Sequence, residues 1–159
     1  MKVSIRKVKH SDIEAISRIN IDNWRHAFRG IYSRERIAKS TSRWTPEFVA
    51  NRMKSWMRTG REAFVAIHKG KVVGFVIYKR KNRIIKISAL YVDRKMQRKR
   101  VGSALLVFAE RKTRAKTYTI VSASRKHTIS FYEKMGYKKL RTVRRKKTGD
   151  IDIVMIKRK

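Results

Sequence analysis

One segment of the chain, residues 91–113, combines residue types that could hold an anion. It reads YVDRKMQRKRVGSALLVFAERKT: a strand-like run ends at Asp93, a row of Arg, Lys and Gln follows, and a helical pattern begins at Val101. The first N–H groups of a helix have no partner within it, so they attract negative charge, and Gly102 lets a ligand approach the backbone closely. The segment predicts an anion site at this turn, or else it is only a basic bend on a basic protein.

The elements that position this turn follow from the spacing of the apolar residues. Alternation predicts strands at 3–7, 63–68, 71–80, 84–93 and 118–124, and a closing hairpin of 138–143 and 150–157. Helical spacing predicts a helix that opens at Ser11 with Glu14 in a capping box, one that starts at Thr45-Pro46, one from 101 to about 114, and one within 127–137. The order β-α-α-β-β-β-α-β-α-β-β is that of a mixed sheet with helices on its faces.

The charge of the chain is extreme. Its 159 residues include 44 Lys and Arg against 11 Asp and Glu, a formal net charge of +33. Such a surface attracts polyanions by releasing their counterions, so we expect nonspecific binding of nucleic acid. The cations are spread along the whole chain, as in a supercharged surface laid over an ordinary core. The sequence leaves open whether this basic surface is natural or engineered.

Composition indicates one folded domain, residues 1–159. Hydrophobic residues make up 42% of the chain, which is enough for a core. No apolar run approaches the roughly 18 to 20 residues that cross a membrane, and no signal peptide is recognisable. The absence of cysteine excludes disulfides and thiolate sites, and the four histidines lack metal-ligand spacing. We therefore expect a cytoplasmic monomer or homodimer, with neither membrane insertion nor a metal.

Three motifs stand at the joints between these elements. The stretch ALYVDRKMQRKRVGSALL resembles a strand–loop–helix with Q/R-x-x-G-x-G/A, FYEKMGYKKL is close to FYxKxGF, and NWRHAFRGIYS matches W-x-x-x-F/Y-x-G-I/L. Together they resemble the GNAT superfamily of N-acetyltransferases over nearly the whole chain. The resemblance implies an α/β (α+β) fold with a mixed central sheet of six to seven strands and about four helices. It also implies that two central parallel strands splay apart.

The resemblance implies an enzyme that moves an acetyl group from acetyl-coenzyme A, its co-substrate, to a primary amine by direct attack in a ternary complex. The amine would belong to a small molecule or a peptide. The residues implied to contact coenzyme A are Leu90, Tyr91 and Val92 along the pantetheine arm, Gln97, Arg98, Lys99, Arg100, Val101, Gly102 and Ser103 around the pyrophosphate, and Arg125, which replaces the family's asparagine.

The chain departs from the family pattern in two further ways. Arg100 stands where the first loop glycine is usual, and a non-glycine residue with positive φ costs roughly 1 kcal/mol or more. We therefore expect an ordinary right-handed helical backbone at Arg100. The strand before the loop, RIIKISALYV, has no carboxylate to act as general base, although Ser88 could hold a water there.

Tyr132 is the candidate catalytic residue, because it matches the tyrosine that in many family members protonates the departing thiolate. It could instead only pack beneath its helix. The aromatic joint, defined by Trp24, His26, Phe28 and Tyr32, either lines the acceptor pocket or belongs to the core. The alternative functions are a nucleic-acid-binding module, or a supercharged variant of the fold with weak or no catalysis.

Overall fold

The computed structural model describes residues 2–112 and 116–158. Within these residues lie seven strands: β1 (Ser4–Lys7), β2 (Arg61–His68), β3 (Lys71–Lys81), β4 (Ile84–Val92), β5 (Lys116–Ser122), β6 (Lys138–Arg144) and β7 (Ile151–Arg158). The five α-helices there are α1 (Ile13–Ala27), α2 (Arg34–Ser42), α3 (Pro46–Arg58), α4 (Val101–Glu110) and α5 (Lys126–Lys134). The strands form one mixed sheet in the order β1-β2-β3-β4-β5-β7-β6.

The expected order of elements is confirmed, with one helix added. The sequence predicts no helix between residues 34 and 42, where apolar residues are sparse, yet α2 forms there. Ser33 caps it, since its side chain accepts a hydrogen bond from the Arg36 amide at 3.1 Å. The start of α3 is as predicted, because the Thr45 side chain accepts from the Phe48 amide and Pro46 is the first helical residue.

The predicted start of α1 was wrong. A 3₁₀ turn (His10–Asp12) precedes the helix, and Asp12 takes the place expected of Ser11. The Asp12 carboxylate accepts from the Lys9 amide at 2.8 Å and from the Arg6 guanidinium at 2.7 and 2.9 Å. This hydrogen bond to Arg6 lowers the pKa of Asp12 despite its burial. The ion pair with Arg6 on β1 therefore decides where the helix starts, rather than the capping preference of Ser11.

The sheet carries a separate core on each face. The core under α1 and α3 contains Ile13, Ile16, Ile19, Val49, Val65, Phe75 and Ile77. The core under α4 and α5 includes Val76, Ile85, Ile87, Leu105, Leu106, Ile129, Tyr132 and Met155. A ligand that enters between two strands of this sheet can thus meet different side chains on the two faces.

The central parallel strands part halfway along their length. β4 and β5 pair only from Ile84 with Lys116 to Ile87 with Thr119. β4 nevertheless stays paired with β3 as far as Val92, and β5 stays paired with β7 as far as Ser122. The expected splayed pair is therefore present, and we call the space between Ser88–Val92 and the end of β5 the fork.

Across the described ranges, no helix has the length and apolar character to span a bilayer.

Candidate active site

The open edge of β4 presents backbone groups to the fork. The Asp93 amide donates to the Val73 carbonyl at 2.9 Å, so Asp93 faces β3. Backbone groups alternate in direction along an antiparallel pair, so Tyr91 also faces β3, while Leu90 and Val92 face away from it. The Val92 carbonyl is occupied, since it accepts from the Asn23 side chain at 2.9 Å. The Leu90 N–H and carbonyl are left pointing into the fork.

Helix α4 begins beside the mouth of this fork. The first N–H of the chain to bond within the helix is that of Ala104, which donates to the Arg100 carbonyl at 3.0 Å. The preceding amides, of residues 101–103, are the unpaired donors of a helix start, and the cap residue supplies no side-chain hydrogen bond to them. A methyl group added at Gly102 would lie 3.6 Å from Phe131 and from Val92. The glycine therefore places the helix start against the open half of β4.

The loop before α4 corrects the prediction for Arg100. Its φ is 63° and its ψ is 7°, which is left-handed, and Arg98 also has a positive φ of 58°. Lys99 between them has a negative φ, so the sign alternates along the loop. Alternation of this kind turns successive N–H groups toward one concave side, the arrangement called an anion nest. A positive φ at a non-glycine residue costs about 1 kcal/mol.

Side chains from α1 hold this loop in place. Gln97 donates from its amide to the Asn23 side-chain oxygen at 3.0 Å and to the Val92 carbonyl at 3.3 Å. Asp93 accepts from Arg18 at 2.9 Å and from the Lys95 amide at 3.0 Å. Burial opposes ionisation of Asp93, but these hydrogen bonds prevail and lower its pKa.

The side-chain amide nitrogen of Gln97, one of the predicted cofactor-binding residues, is engaged with the scaffold. Asn23 was missed, although a buried asparagine on the inner face of an amphipathic helix was a usable signal. It is 8% exposed and connects α1, β4 and the loop.

Tyr132 lies behind the base of the fork. Its side chain is 4% exposed, and its ring packs edge-on against Phe131 and Tyr137 at 5.2 and 5.1 Å. Burial raises the pKa of Tyr132 to about 12, and a side-chain hydrogen bond with Thr119 opposes that rise. Thr119 is the last residue of β5 that pairs with β4. The phenol therefore both packs in the core and reaches the point where the strands part.

The structure brings together three of the four residues of the aromatic joint. Phe28 lies between Trp24 and Tyr32, with ring centroids 4.3 and 4.7 Å away. The Arg125 guanidinium stands over Phe28 at 5.7 Å. His26 lies elsewhere, exposed and lining a cleft with Asp22, Asp93, Gln97 and Arg98.

A charged network ties the aromatic joint to the turn between β6 and β7. Arg36 stacks on the Tyr32 ring at 3.5 Å and forms an ion pair of 2.5 Å with Asp150. Burial, together with the nearby Asp150 carboxylate, raises the pKa of Tyr32. The sequence does not predict the pairing of Arg36 with Asp150, because the two residues are 114 positions apart.

The part of the chain that the structure describes contains no cluster of metal-ligating side chains. No group of three or more His, Asp or Glu side chains there is arranged to hold a metal ion. The site consists instead of backbone donors, cations and one buried phenol.

Comparison with known proteins identifies the family. The model of the acetyltransferase (GNAT) domain matches residues 29–159, which is most of the chain. The chain belongs to the GNAT acetyltransferase family. The sequence-based assignment to this family is thereby confirmed. No curated protein sequence matches the chain.

Solved structures show the same GNAT fold. The PaiA N-acetyltransferase from Thermoplasma acidophilum, in complex with coenzyme A, is 23% identical over 100% of both chains, with a TM-score of 0.84. An N-acetyltransferase from Staphylococcus aureus Mu50 is 19% identical over 99% of both chains, with a TM-score of 0.73. The ribosomal-protein-alanine N-acetyltransferase from Brucella melitensis is 17% identical over 98% of this chain and 99% of its own, with a TM-score of 0.72.

Proposed function

We propose that this GNAT-family protein is an N-acetyltransferase that uses acetyl-coenzyme A and a primary amine in a ternary complex. The observation that carries the proposal is the fork, whose open edge on β4 lies beside the unpaired amides of α4. The relative from Thermoplasma acidophilum, which shares this fold, was solved with coenzyme A. Family membership supplies the acetyltransferase chemistry, and the particular residues below are our assignment.

The pyrophosphate of coenzyme A would sit at the loop of residues 97–100 and the start of α4. Amides of residues 101–103 and the nest around Lys99 supply N–H donors, and the helix dipole favours an anion there. Arg98, Lys99 and Arg100 are exposed and can add charge-assisted hydrogen bonds. Gly102 fits this assignment because it keeps the helix start free of a side chain, and a Cβ there would contact Phe131 and Val92 at 3.6 Å.

The pantetheine arm would lie along Leu90, Tyr91 and Val92. The open edge of β4 can pair with the amides of the arm as it would with an added strand. Leu90 is the residue whose N–H points into the fork, so we assign it, rather than Tyr91, to the thioester oxygen. Negative charge grows on that oxygen when the amine attacks, and a fixed donor stabilises it.

The reaction would proceed by direct attack of the neutral amine on the thioester carbon. The new C–N bond forms, the C–S bond breaks, and the sulfur leaves as a thiolate. Tyr132 keeps its proton at neutral pH because its pKa is about 12, so it can donate that proton to the thiolate. The proton of the amine passes to water, for which the exposed Ser88 on β4 is one anchor. Holding both reactants in line supplies much of the rate.

The proposal is tested by two measurements on the full chain. Acetyl-coenzyme A is expected to raise the melting temperature, because it binds the folded state alone. A panel of primary amines is then screened for release of free thiol. The proposal is contradicted if acetyl-coenzyme A leaves the melting temperature unchanged and none of the amines in the panel causes release of thiol.

Nonspecific binding of nucleic acid is a second candidate activity, favoured by the net charge of +33. Exposed cations line the edge strand β6, at Lys138, Lys139, Arg141 and Arg144. Such binding weakens steeply with added salt. Coenzyme A held by backbone amides and a buried arm should lose less affinity, so a salt titration of both ligands separates the two activities.

A further inference from the structure

Arg125 carries a guanidinium on the face of the sheet opposite to α4. The ring of Tyr91 packs with Phe75 at 5.5 Å in the core under α1 and α3, whereas Val92 contacts the core under α4. The Arg125 guanidinium stands over Tyr91 at 6.0 Å and over Phe28 at 5.7 Å. Arg125 therefore crosses from the end of β5 to the face that carries the aromatic joint, away from the helix start assigned to the pyrophosphate.

This guanidinium has no polar partner among the described residues. Two other arginines near the aromatic joint are ion-paired, Arg36 with Asp150 at 2.5 Å and Arg145 with Asp152 at 2.6 Å. Among residues 2–112 and 116–158, the Arg125 guanidinium stands over two aromatic rings and forms neither an ion pair nor a side-chain hydrogen bond, and the residue is half-buried. Its positive charge is thus left uncompensated beside the fork.

We propose that Arg125 selects an acceptor amine that carries a carboxylate in the same molecule. The inference rests on the proposed function and specifies its substrate class. A guanidinium matches a carboxylate with two parallel hydrogen bonds, and a charge-assisted pair of this kind is both strong and directional. The carboxylate binds Arg125 while the amine of the same acceptor points toward Leu90 and the thioester.

The ring contacts prepare Arg125 for this role. The guanidinium lies within cation–π distance of both the Tyr91 and the Phe28 ring, which favours its position between them. Less side-chain freedom is then lost when a carboxylate binds. Tyr91 also follows Leu90 directly along β4, so the carboxylate site and the thioester donor are neighbours on one strand. The same cation repels acceptors that carry only positive charge, such as polyamines.

The test uses pairs of acceptors that differ only in the anion, such as 4-aminobutyrate and its carboxamide, or β-alanine and its carboxamide. For each pair, kcat/KM is measured by thiol release, and the carboxylate-to-carboxamide ratio is compared between variants. Differences in basicity between the amines cancel when this ratio is compared between variants, because every variant is assayed with the same acceptors. The variants are Arg125→Met, Arg125→Lys, and the matched control Lys126→Met, which removes an exposed neighbouring charge.

The wild type is expected to prefer the carboxylate, and Arg125→Met should lower the ratio by about tenfold to a hundredfold. Arg125→Lys should keep part of the preference, and Lys126→Met should keep all of it. The KM for acetyl-coenzyme A and the melting temperature, measured on every variant, should change little.

Three results would overturn the inference. The first is equal use of carboxylate and carboxamide by the wild type. The second is an unchanged ratio in Arg125→Met together with a raised KM for acetyl-coenzyme A, which returns Arg125 to the cofactor as the sequence motif implied. The third is binding of acetyl-coenzyme A without acetylation of any carboxylate-bearing amine. Failure to bind acetyl-coenzyme A at all is instead a failure of the proposed function.

Discussion

Strand β4 is bordered on both edges from Ile84 to Ile87, but on one edge only from Ser88 to Val92. In the first half Ile85 and Ile87 are almost fully buried, and the strand builds the core under α4. In the second half the side chains from Ala89 to Val92 are half-exposed and backbone groups lack a neighbour strand. The contrast shows how one strand can stabilise the fold with one half and expose hydrogen-bonding groups for a ligand with the other.

The change between the two halves has a local cause. The register between β3 and β4 shifts near Ile77 and Tyr78, so Ser88 is an extra residue on β4. A bulge of this kind bends a strand and increases its twist. Parallel pairing with β5 ends at Ile87, the residue directly before the bulge. The bulge therefore marks the boundary between core and candidate site.

Replacing Tyr132 by phenylalanine should give the largest effect on the chemistry assigned to the open half. Loss of a proton donor lowers kcat by roughly 100-fold or more, whereas binding of acetyl-coenzyme A should change little because the ring remains. Thiol release and a binding titration measure the two quantities. Tyr137→Phe removes another buried hydroxyl nearby and serves as the control, with kcat close to wild type. Equal kcat in Tyr132→Phe would leave that residue a packing role alone.

Two glycine-to-alanine variants compare the packing against the open half of β4 at two places, Gly74 on β3 and Gly102 at the start of α4. A Cβ at Gly74, opposite Val92, would lie 2.9 Å from the Tyr91 carbonyl oxygen and 3.2 Å from Leu105. Gly74→Ala should therefore lower the free energy of unfolding by about 2 kcal/mol. Gly102→Ala, with its nearest contacts at 3.6 Å, should change it by less than about 0.5 kcal/mol. Denaturant titrations of both variants decide the point, and equal losses would refute the close approach at Gly74.

Arg100 tests whether the loop at the mouth stores backbone strain. Glycine accepts the observed φ of 63° without penalty, so Arg100→Gly should be about 1 kcal/mol more stable than Arg100→Ala. Both variants lose the same charge, so their difference isolates the backbone. Their free energies of unfolding are compared in denaturant. If alanine is as stable as glycine, the left-handed conformation carries no strain.

Replacing Asp93, which follows the open half of β4, should change the free energy of unfolding least. Its lowered pKa means that the folded state favours the ionised carboxylate, so its stabilisation is present above the ordinary value of 3.8 and is lost as the pH falls through the native pKa. Asp93→Asn should lower stability by less than about 1 kcal/mol at pH 7, and the difference should shrink below pH 3.8. The exposed Asp22 provides a control, Asp22→Asn. A pH-independent difference for Asp93→Asn would remove the ion pair with Arg18 from the explanation.

The arrangement of strands and most helices could be predicted from the sequence, because periodicity and caps are local signals. Thr45-Pro46 set the start of α3, and Lys69-Gly70 forms the tight turn between β2 and β3, with positive φ at both positions. The start of α1 could not be predicted, because Arg6 contacts Asp12 across the space between β1 and the helix. Helix α2 was missed because its nine residues contain few apolar ones.

The candidate site was only partly predictable for a similar reason. Motifs located the loop and Tyr132, since their residues are contiguous. Side-chain direction was not available: Gln97 turns to Asn23, His26 turns away from the aromatic joint, and Arg125 reaches the opposite face from α4. The left-handed backbone at Arg100 was mispredicted, because an arginine side chain disfavours a positive φ.

The most direct test of the fork as the cofactor site is a ¹⁵N–¹H NMR titration of the full chain with coenzyme A. Binding in the fork predicts saturable shifts of the amides of Leu90, Gly102 and Ser103, with little change at Ile85 and Ile87 in the closed half of β4. The shifts should persist at raised salt. Changes confined to surface cations such as those of β6, fading as salt is added and sparing Leu90 and Gly102, would contradict the account.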